Sequence, residues 1–142
     1  QMCIRDSVRP ALRRFAGEFI ARRLTLDYAP TDEKWLSFVI EQVLSNALKY
    51  TPQGGVSVYV EEPKTLCIRD TGIGIAPEDL PRVFERGYTG LQGRADKRAS
   101  GIGLYLCRRI CRNLGHTITA ESRPGEGTTV RIKLEEKKIT VE

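Results

Sequence analysis

Long apolar runs are missing from this sequence. The longest uninterrupted ones are only a few residues, whereas a membrane-spanning helix needs about 20. No membrane span is expected, and the N-terminal residues do not read as a signal peptide. No two cysteines have CxxC spacing, although Cys3, Cys67, Cys107 and Cys111 are present. That argues against a zinc or thiol-redox motif and for small buried hydrophobes in a reducing compartment. The GxxxxGKS/T loop of the Walker ATPases is absent, and so are the HRD and DFG signatures, which removes two large classes of phosphate chemistry. Histidine occurs once, at His116.

What is present suits one globular domain. The 142 residues are 40% hydrophobic and 29% charged, enough chain for a single sizeable core. Lys plus Arg number 23 and Asp plus Glu 18, a net charge of +5. A modestly basic domain attracts a polyanion such as nucleic acid, an anionic membrane or a nucleotide. Arg9, Arg13, Arg14, Arg22 and Arg23 cluster near the start and read as a solvated helix face or a face for a neighbouring domain. No nucleic-acid partner is expected. The tetrapeptide Cys3-Ile4-Arg5-Asp6 recurs as Cys67-Ile68-Arg69-Asp70 with nothing similar around it. Residues 1–7 are therefore set aside as a fragment edge or artefact, 8–134 are taken as the domain, and 135–142 as a frayed C-terminal tail.

Periodicity divides the domain. Val8, Leu12, Phe15 and Phe19 mark an amphipathic helix over 8–23. Residues 24–28 alternate like a strand, and Pro30, Thr31 and Asp32 supply a turn and cap. A helix over 33–50 carries the apolar stripe Leu36, Ile40, Val43 and Ala47, with Gln42, Asn46, Lys49 and Tyr50 on an adjacent polar edge. Strands are expected at 56–61 and 65–69, joined by a hairpin at Glu62-Pro63-Lys64, then a Gly-rich loop over 70–76 and a short helix near 77–86. Residues 87–102 have no periodicity and read as a mobile loop. A helix over 103–114 stops at Gly115, and strands at 117–121 and 128–134 flank the turn Arg123–Gly127.

Three short motifs carry chemistry. Asn46-Ala47-Leu48-Lys49-Tyr50 ends a helix. An Asn carbonyl is a hard neutral ligand for Mg²⁺, which takes few protein ligands plus phosphate oxygens and water. Lys49 could neutralise a phosphate and Tyr50 cover a base. Asp70-Thr71-Gly72-Ile73-Gly74-Ile75 follows a strand. Its glycines allow a tight turn, and an acceptor-only carboxylate suits the exocyclic amino group of adenine but repels the guanine carbonyl. Ser100-Gly101-Ile102-Gly103-Leu104 opens a helix, where free N–H groups and the dipole favour an anion. Neither Gly pair fits the dinucleotide fingerprint, since Pro77 and Leu106 hold the third position. Taken singly, each motif is also compatible with a plain polar edge, turn or cap.

In this order the motifs resemble the ATP-binding catalytic domain of bacterial two-component sensor histidine kinases, of the GHKL superfamily shared with gyrase B, Hsp90 and MutL. Residues 41–50 look like the N box, 70–74 the G1 box, Val83-Phe84-Glu85-Arg86 the F box and 100–104 the G2 box. Ser122 through Gly125, with Gly127 and Thr128, resemble the closing strand-turn-strand. The resemblance implies a two-layer α/β sandwich (the Bergerat fold), a mixed sheet covered on one face by helices, with 87–102 as an ATP lid that Phe84 anchors. It implies ATP and Mg²⁺, with Asn46 on the metal, Asn46 and Lys49 catalytic, and Asp70 on adenine N6. Gly72, Gly74, Gly101 and Gly103 would frame the nucleotide, with further contacts at Gln42, Tyr50, Ile75, Thr89, Leu104 and Thr128. It implies transfer of the γ-phosphate to a histidine on a dimerisation domain absent from this chain. A response regulator would be an indirect partner, and the cytoplasmic domain would be membrane-anchored only through absent upstream segments.

Departures refine the expectation. Hydrolysing relatives carry Glu where this chain has Gln42, and an amide cannot take a proton at neutral pH. Poor hydrolysis is expected, with the nucleophile activated elsewhere. Many relatives follow the F box with Phe-Tyr-Arg, but this chain has Gly87-Tyr88-Thr89-Gly90. That lid and Gly103–Cys107 look most like the short intramembrane-sensing kinases that answer peptide antibiotics. His116 follows a helix stop and precedes a strand, a poor place for a phosphoacceptor, so no autophosphorylation of the chain alone is expected. The alternative is a non-catalytic nucleotide-binding or partner-docking module that keeps the fold.

Overall fold

The computed structural model describes residues 2–4, 14, 16–18, 20, 30–51, 54–61, 64–88 and 103–134. The expected strand at 24–28, most of the loop at 87–102, the hairpin residues 62 and 63 and the tail at 135–142 lie outside them. So do the stripe residues Val8, Leu12, Phe15 and Phe19; the described helical residues there include Ala16 and Ile20, both buried. In chain order the elements are β1 (Met2–Ile4), α1 (Pro30–Lys49), β2 (Val56–Glu61), β3 (Thr65–Asp70), a 3-10 turn (Leu80–Arg82), α2 (Gly103–Leu114), β4 (Thr117–Arg123) and β5 (Gly127–Lys133).

Helix α1 starts earlier than the expected turn and cap allow, because Pro30 already belongs to it. Proline suits a first helical turn, where its missing N–H would have no partner anyway. Asp32 and Glu33 in that turn and Lys49 in the last complement the helix dipole. The stripe Leu36, Ile40, Val43 and Ala47 is buried, and Val39 and Leu44 widen it. Each fully buried side chain of this size contributes about 1.5–3 kcal/mol. Helix α2 buries Cys107, Ile110, Cys111 and Leu114 at helical spacing. It ends as expected at Gly115, whose φ of 82° places it in the left-handed region. The His116 N–H donates to Cys111 O (2.7 Å) and the Gly115 N–H to Arg112 O (3.1 Å), the paired bonds of a Schellman stop.

The sheet has five strands in the order β1-β2-β3-β5-β4. Every described pairing is antiparallel, not mixed as expected. Strands β3 and β4, which α2 connects, do run the same way, but β5 turns back at residues 124–126 and inserts between them. Met2–Ile4, set aside in the sequence, pair along the outer edge of β2. That edge otherwise offers a row of unpaired backbone groups. The expected short helix near 77–86 is instead a run of turns around Leu80–Arg82, with Leu80 N–H on Ala76 O (3.0 Å) and Glu85 N–H on Arg82 O (2.9 Å). Pro77 and Pro81 have no N–H to extend an α-helix through it.

Helices cover one face of the sheet: α1 lies on β2 and β3, α2 on β4, and the two helices pack on each other. Val56 and Val58, Leu66 and Ile68, Val130 and Ile132, and Ile118 fill that face by alternation along the strands. The other face carries Tyr59, Cys67 and Arg131. The Arg131 guanidinium bonds Glu121 (2.8 Å) and approaches Glu61 (3.6 Å). No described helix is long and apolar enough to cross a membrane.

Cys67, Cys107 and Cys111 are buried free thiols. Burial pushes Cys67 up to about 11, Cys111 up to about 12 and Cys107 upward as well. The thiolate is the reactive species, so all three are expected to resist a thiol reagent at neutral pH in the folded chain and to react at once in denaturant. Mass-resolved labelling checks this, and fast native labelling of any of the three would contradict it.

Candidate functional site

One end of the helix-covered face is polar. Asp70 on β3 stands opposite Thr128 on β5, and Thr128 opposite Ser122 on β4. Three polar side chains thus form a row across three strands where the rest of the face is aliphatic. The Asp70 carboxylate is buried. Its Oδ1 accepts from the Gly72 N–H (2.9 Å) and the Thr128 N–H (3.2 Å). Burial holds the Asp70 pKa above the ordinary carboxylate range, while these two N–H groups and the Thr51 side chain pull it back.

The loop after Asp70 is clamped between two other segments. The Ile73 N–H donates to Tyr50 O at the end of α1 (3.2 Å), and the Gly125 N–H of the β4–β5 turn donates to Ile73 O (2.7 Å). The Ile75 N–H donates to Ser122 Oγ (2.8 Å). Gly72 and Gly74 are required by this clamp. A Cβ on Gly72 would collide with the Tyr50 carbonyl, and one on Gly74, at a φ of 75°, with the Arg123 carbonyl. Close approach to the protein's own backbone is thus by itself a reason for these two glycines, which were expected to frame a ligand.

Other expected site residues surround this floor. Gln42, Asn46 and Lys49 descend the last turns of α1 and Tyr50 follows directly, and all but the exposed Lys49 are half-buried. The Lys49 ammonium lies 5.5 Å from the centre of the Tyr50 ring. Gln42 reaches the start of α2: a Cβ on Gly103 would stand 3.6 Å from Gln42 Oε1. Its neighbour Glu41 is buried on another side of α1. Leu104 packs against the core, and so does Phe84, with the Arg108 guanidinium 5.8 Å from its ring centre. Thr89, Ser100 and Gly101 lie outside the described residues. His116 is buried behind the helix stop. Sequence reasoning gave no role to Thr51 or to the Ser122 hydroxyl. Only the strand register, which sets Ser122 opposite Thr128, could have signalled the second.

Helices over one face of an antiparallel sheet, with a buried carboxylate and a glycine loop at the end of a central strand, define the nucleotide-binding fold of the ATPase and kinase class expected above. The chain belongs to the family described as Histidine kinase-, DNA gyrase B-, and HSP90-like ATPase, which residues 31–138 match. It is 43% identical to the sensor histidine kinase YxdK of Bacillus subtilis over 106 residues, 71% of this chain and 33% of that protein. It is 42% identical to the sensor protein kinase GraS of Staphylococcus aureus over 109 residues, 75% of this chain and 32% of that one. The chain thus spans about a third of the length of these relatives and corresponds to the ATP-binding catalytic domain of a sensor kinase. Among solved structures, the mycobacterial sensor histidine kinase MprB shares the fold with a TM-score of 0.64 at 24% identity, covering 88% of this chain and 93% of that one.

Two outcomes follow from the geometry. Gly74→Ala forces a left-handed alanine into a backbone contact and is expected to cost about 2–4 kcal/mol. Gly103→Ala meets only ordinary contact and is expected to be neutral or to stabilise by up to about 1 kcal/mol; denaturant unfolding distinguishes the two. The second outcome concerns Asp70, whose folded pKa lies above its unfolded one. Folding therefore favours the protonated form. The contribution is fully present below the unfolded value, about 3.9, and is lost as pH rises through the folded value. Asp70→Asn is expected to match or exceed the parent's melting temperature at pH 7, with the difference vanishing near pH 4 and below. Thermal melts across pH check the sign, and a melting temperature lowered at pH 7 would contradict it.

Proposed function

We propose that this chain binds Mg-ATP between the end of α1, the loop after β3 and the start of α2, and presents the γ-phosphate to a histidine on a dimerisation domain outside it. The observation that carries this reading is the buried Asp70 carboxylate, held by two backbone N–H groups at the polar end of an apolar face. An acceptor-only group so placed suits the amino group of adenine and repels the carbonyl that guanine has there. In support, the relatives named above are sensor kinases, and ShkA is described in complex with AMPPNP. ShkA shares the fold with a TM-score of 0.60 at 22% identity, covering 92% of this chain and 30% of that one.

Asn46 offers one neutral oxygen beside the phosphate end of the proposed site. No group of three or more His, Cys, Asp or Glu that could hold a metal occurs among the described residues. This donor set fits Mg²⁺, which keeps most of its shell from water and phosphate, and not a cation caged by protein. When bound, Mg²⁺ would offset charge on the phosphate oxygens. Lys49, at the last turn of α1, adds a mobile positive charge, and Tyr50 lines the same edge. Phosphoryl transfer depends mostly on positioning and charge neutralisation, so one domain can hold most of the machinery while the acceptor stands on another. Gln42 supplies no base, which makes hydrolysis slow. His116, buried behind Gly115, is not the acceptor, so the chain alone does not autophosphorylate. The full-length protein relays phosphate to a response regulator and is anchored in a membrane by segments outside this chain.

The test is to mix the chain with Mg-ATP and a separately produced dimerisation domain carrying its histidine. Phosphohistidine is expected on the added domain only, and Asn46→Ala is expected to slow its formation by at least about 10–100-fold, the usual cost of disturbing a metal shell. ATP binding without any transfer would favour the partner-docking module instead.

A further inference from the structure

The Ser122 hydroxyl makes three contacts. It accepts from the Ile75 N–H at 2.8 Å, donates to Gly127 O at 2.9 Å, and lies 2.8 Å from Thr128 Oγ1. A hydroxyl has one proton and two lone pairs. With the proton on Gly127 O and one lone pair on Ile75, the contact to Thr128 must fill the second lone pair. Thr128 is then the donor. The reverse assignment would leave Ser122 Oγ facing the Gly127 carbonyl oxygen with no proton between them.

The consequence falls on the neighbouring strand. Thr128 has spent its only hydroxyl proton on Ser122, so its oxygen presents lone pairs alone. It stands directly opposite Asp70, an acceptor as well. We infer that Ser122 is a specificity-positioning residue: by holding the Thr128 proton it makes the base end of the site acceptor-only, and so selects 6-aminopurine over 6-oxopurine nucleotides. This deepens the adenine reading of Asp70 and rests on it. Without the serine, the Thr128 hydroxyl could turn and donate to a purine O6, while the N1–H of such a purine could reach the Asp70 carboxylate.

ATP and inosine triphosphate differ only at position 6 and the adjacent N1 proton, so their affinity ratio reads this arrangement directly. Calorimetric titration with the two magnesium nucleotides is made on the parent, Ser122→Ala, Ser122→Thr, Thr128→Val and the Ser122→Ala/Thr128→Val pair. The parent is expected to prefer ATP. Ser122→Ala is expected to lower the ATP-to-ITP ratio about tenfold, the size of one hydrogen bond gained or lost, whatever it does to both affinities through the freed Ile75 N–H. Ser122→Thr keeps a hydroxyl and keeps the ratio. Thr128→Val lowers the ratio by itself, and adding Ser122→Ala to it changes nothing further. An unchanged ratio in Ser122→Ala, or a shift that persists in the Thr128→Val background, overturns the inference. Should Ser122→Ala not fold, an unchanged ratio in Thr128→Val overturns it equally. A parent that binds neither nucleotide overturns the adenine reading itself, a different result from ATP binding with an indifferent ratio.

Discussion

Asp70 is a charge standing where the chain otherwise puts aliphatic side chains, and much of the surrounding backbone is arranged to keep it there. Its register partners across the sheet are Val56 on one side and Thr128 on the other. Burying a carboxylate costs several kcal/mol unless hydrogen bonds replace its water. Here the replacements are backbone N–H groups, one from β5 and one from the loop two residues on. The second is an Asx turn, so the carboxylate that would meet a ligand also bends the chain into the loop that would surround it. Site and local fold share one hydrogen-bond set, so a change that removes the Oδ1 acceptor disturbs both.

The loop is then fixed from two sides. Tyr50 O takes the Ile73 N–H from the helix side, while Gly125 N–H and Ser122 Oγ hold Ile73 O and Ile75 N–H from the hairpin side. Each such bond adds only about 0.5–1.5 kcal/mol net, but together they remove freedom from a segment with no secondary structure of its own. Backbone can approach backbone this closely only where Gly72 and Gly74 have no side chain. The result is a rigid floor, and groups held in place beforehand do not have to reorganise when charge arrives.

Much of this was legible in the sequence because its signals are local. The period of α1 predicted Leu36, Ile40, Val43 and Ala47 as buried, and they are. Gly115 marked the end of α2 because a left-handed residue is needed there. The strand pairs were bounded by turn residues. What escaped depends on contacts between distant segments. Antiparallel pairing throughout follows from β5 inserting beside β3, which no local pattern encodes. The segment 77–86 forms turns around Leu80–Arg82 and not the expected short helix, since Pro77 and Pro81 have no N–H to extend one. Asp70 stands out as a carboxylate before two glycines, whereas no local pattern gives the Ser122 hydroxyl a role. Its partners Ile75 and Thr128 are 47 and 6 positions away, and only register brings them together.

Glu41 and Gln42 show how narrowly the chemistry is set. They are adjacent on α1, about 100° apart around its axis. Glu41 is turned into the protein and buried, while Gln42 reaches toward Gly103 at the mouth of α2. A carboxylate at position 42 would stand where relatives that hydrolyse ATP place their water-activating base; an amide there can orient a neighbour but takes no proton. Among the described residues, the buried carboxylate at the base end of the proposed site is Asp70. On the kinase reading this separation is functional. There Asn46 and Lys49 would bind and neutralise at the phosphate end, where Gln42 supplies no base. The nucleotide would then stay intact until a nucleophile from another domain arrives, and that domain, not the reactivity of this one, would decide when the phosphate leaves.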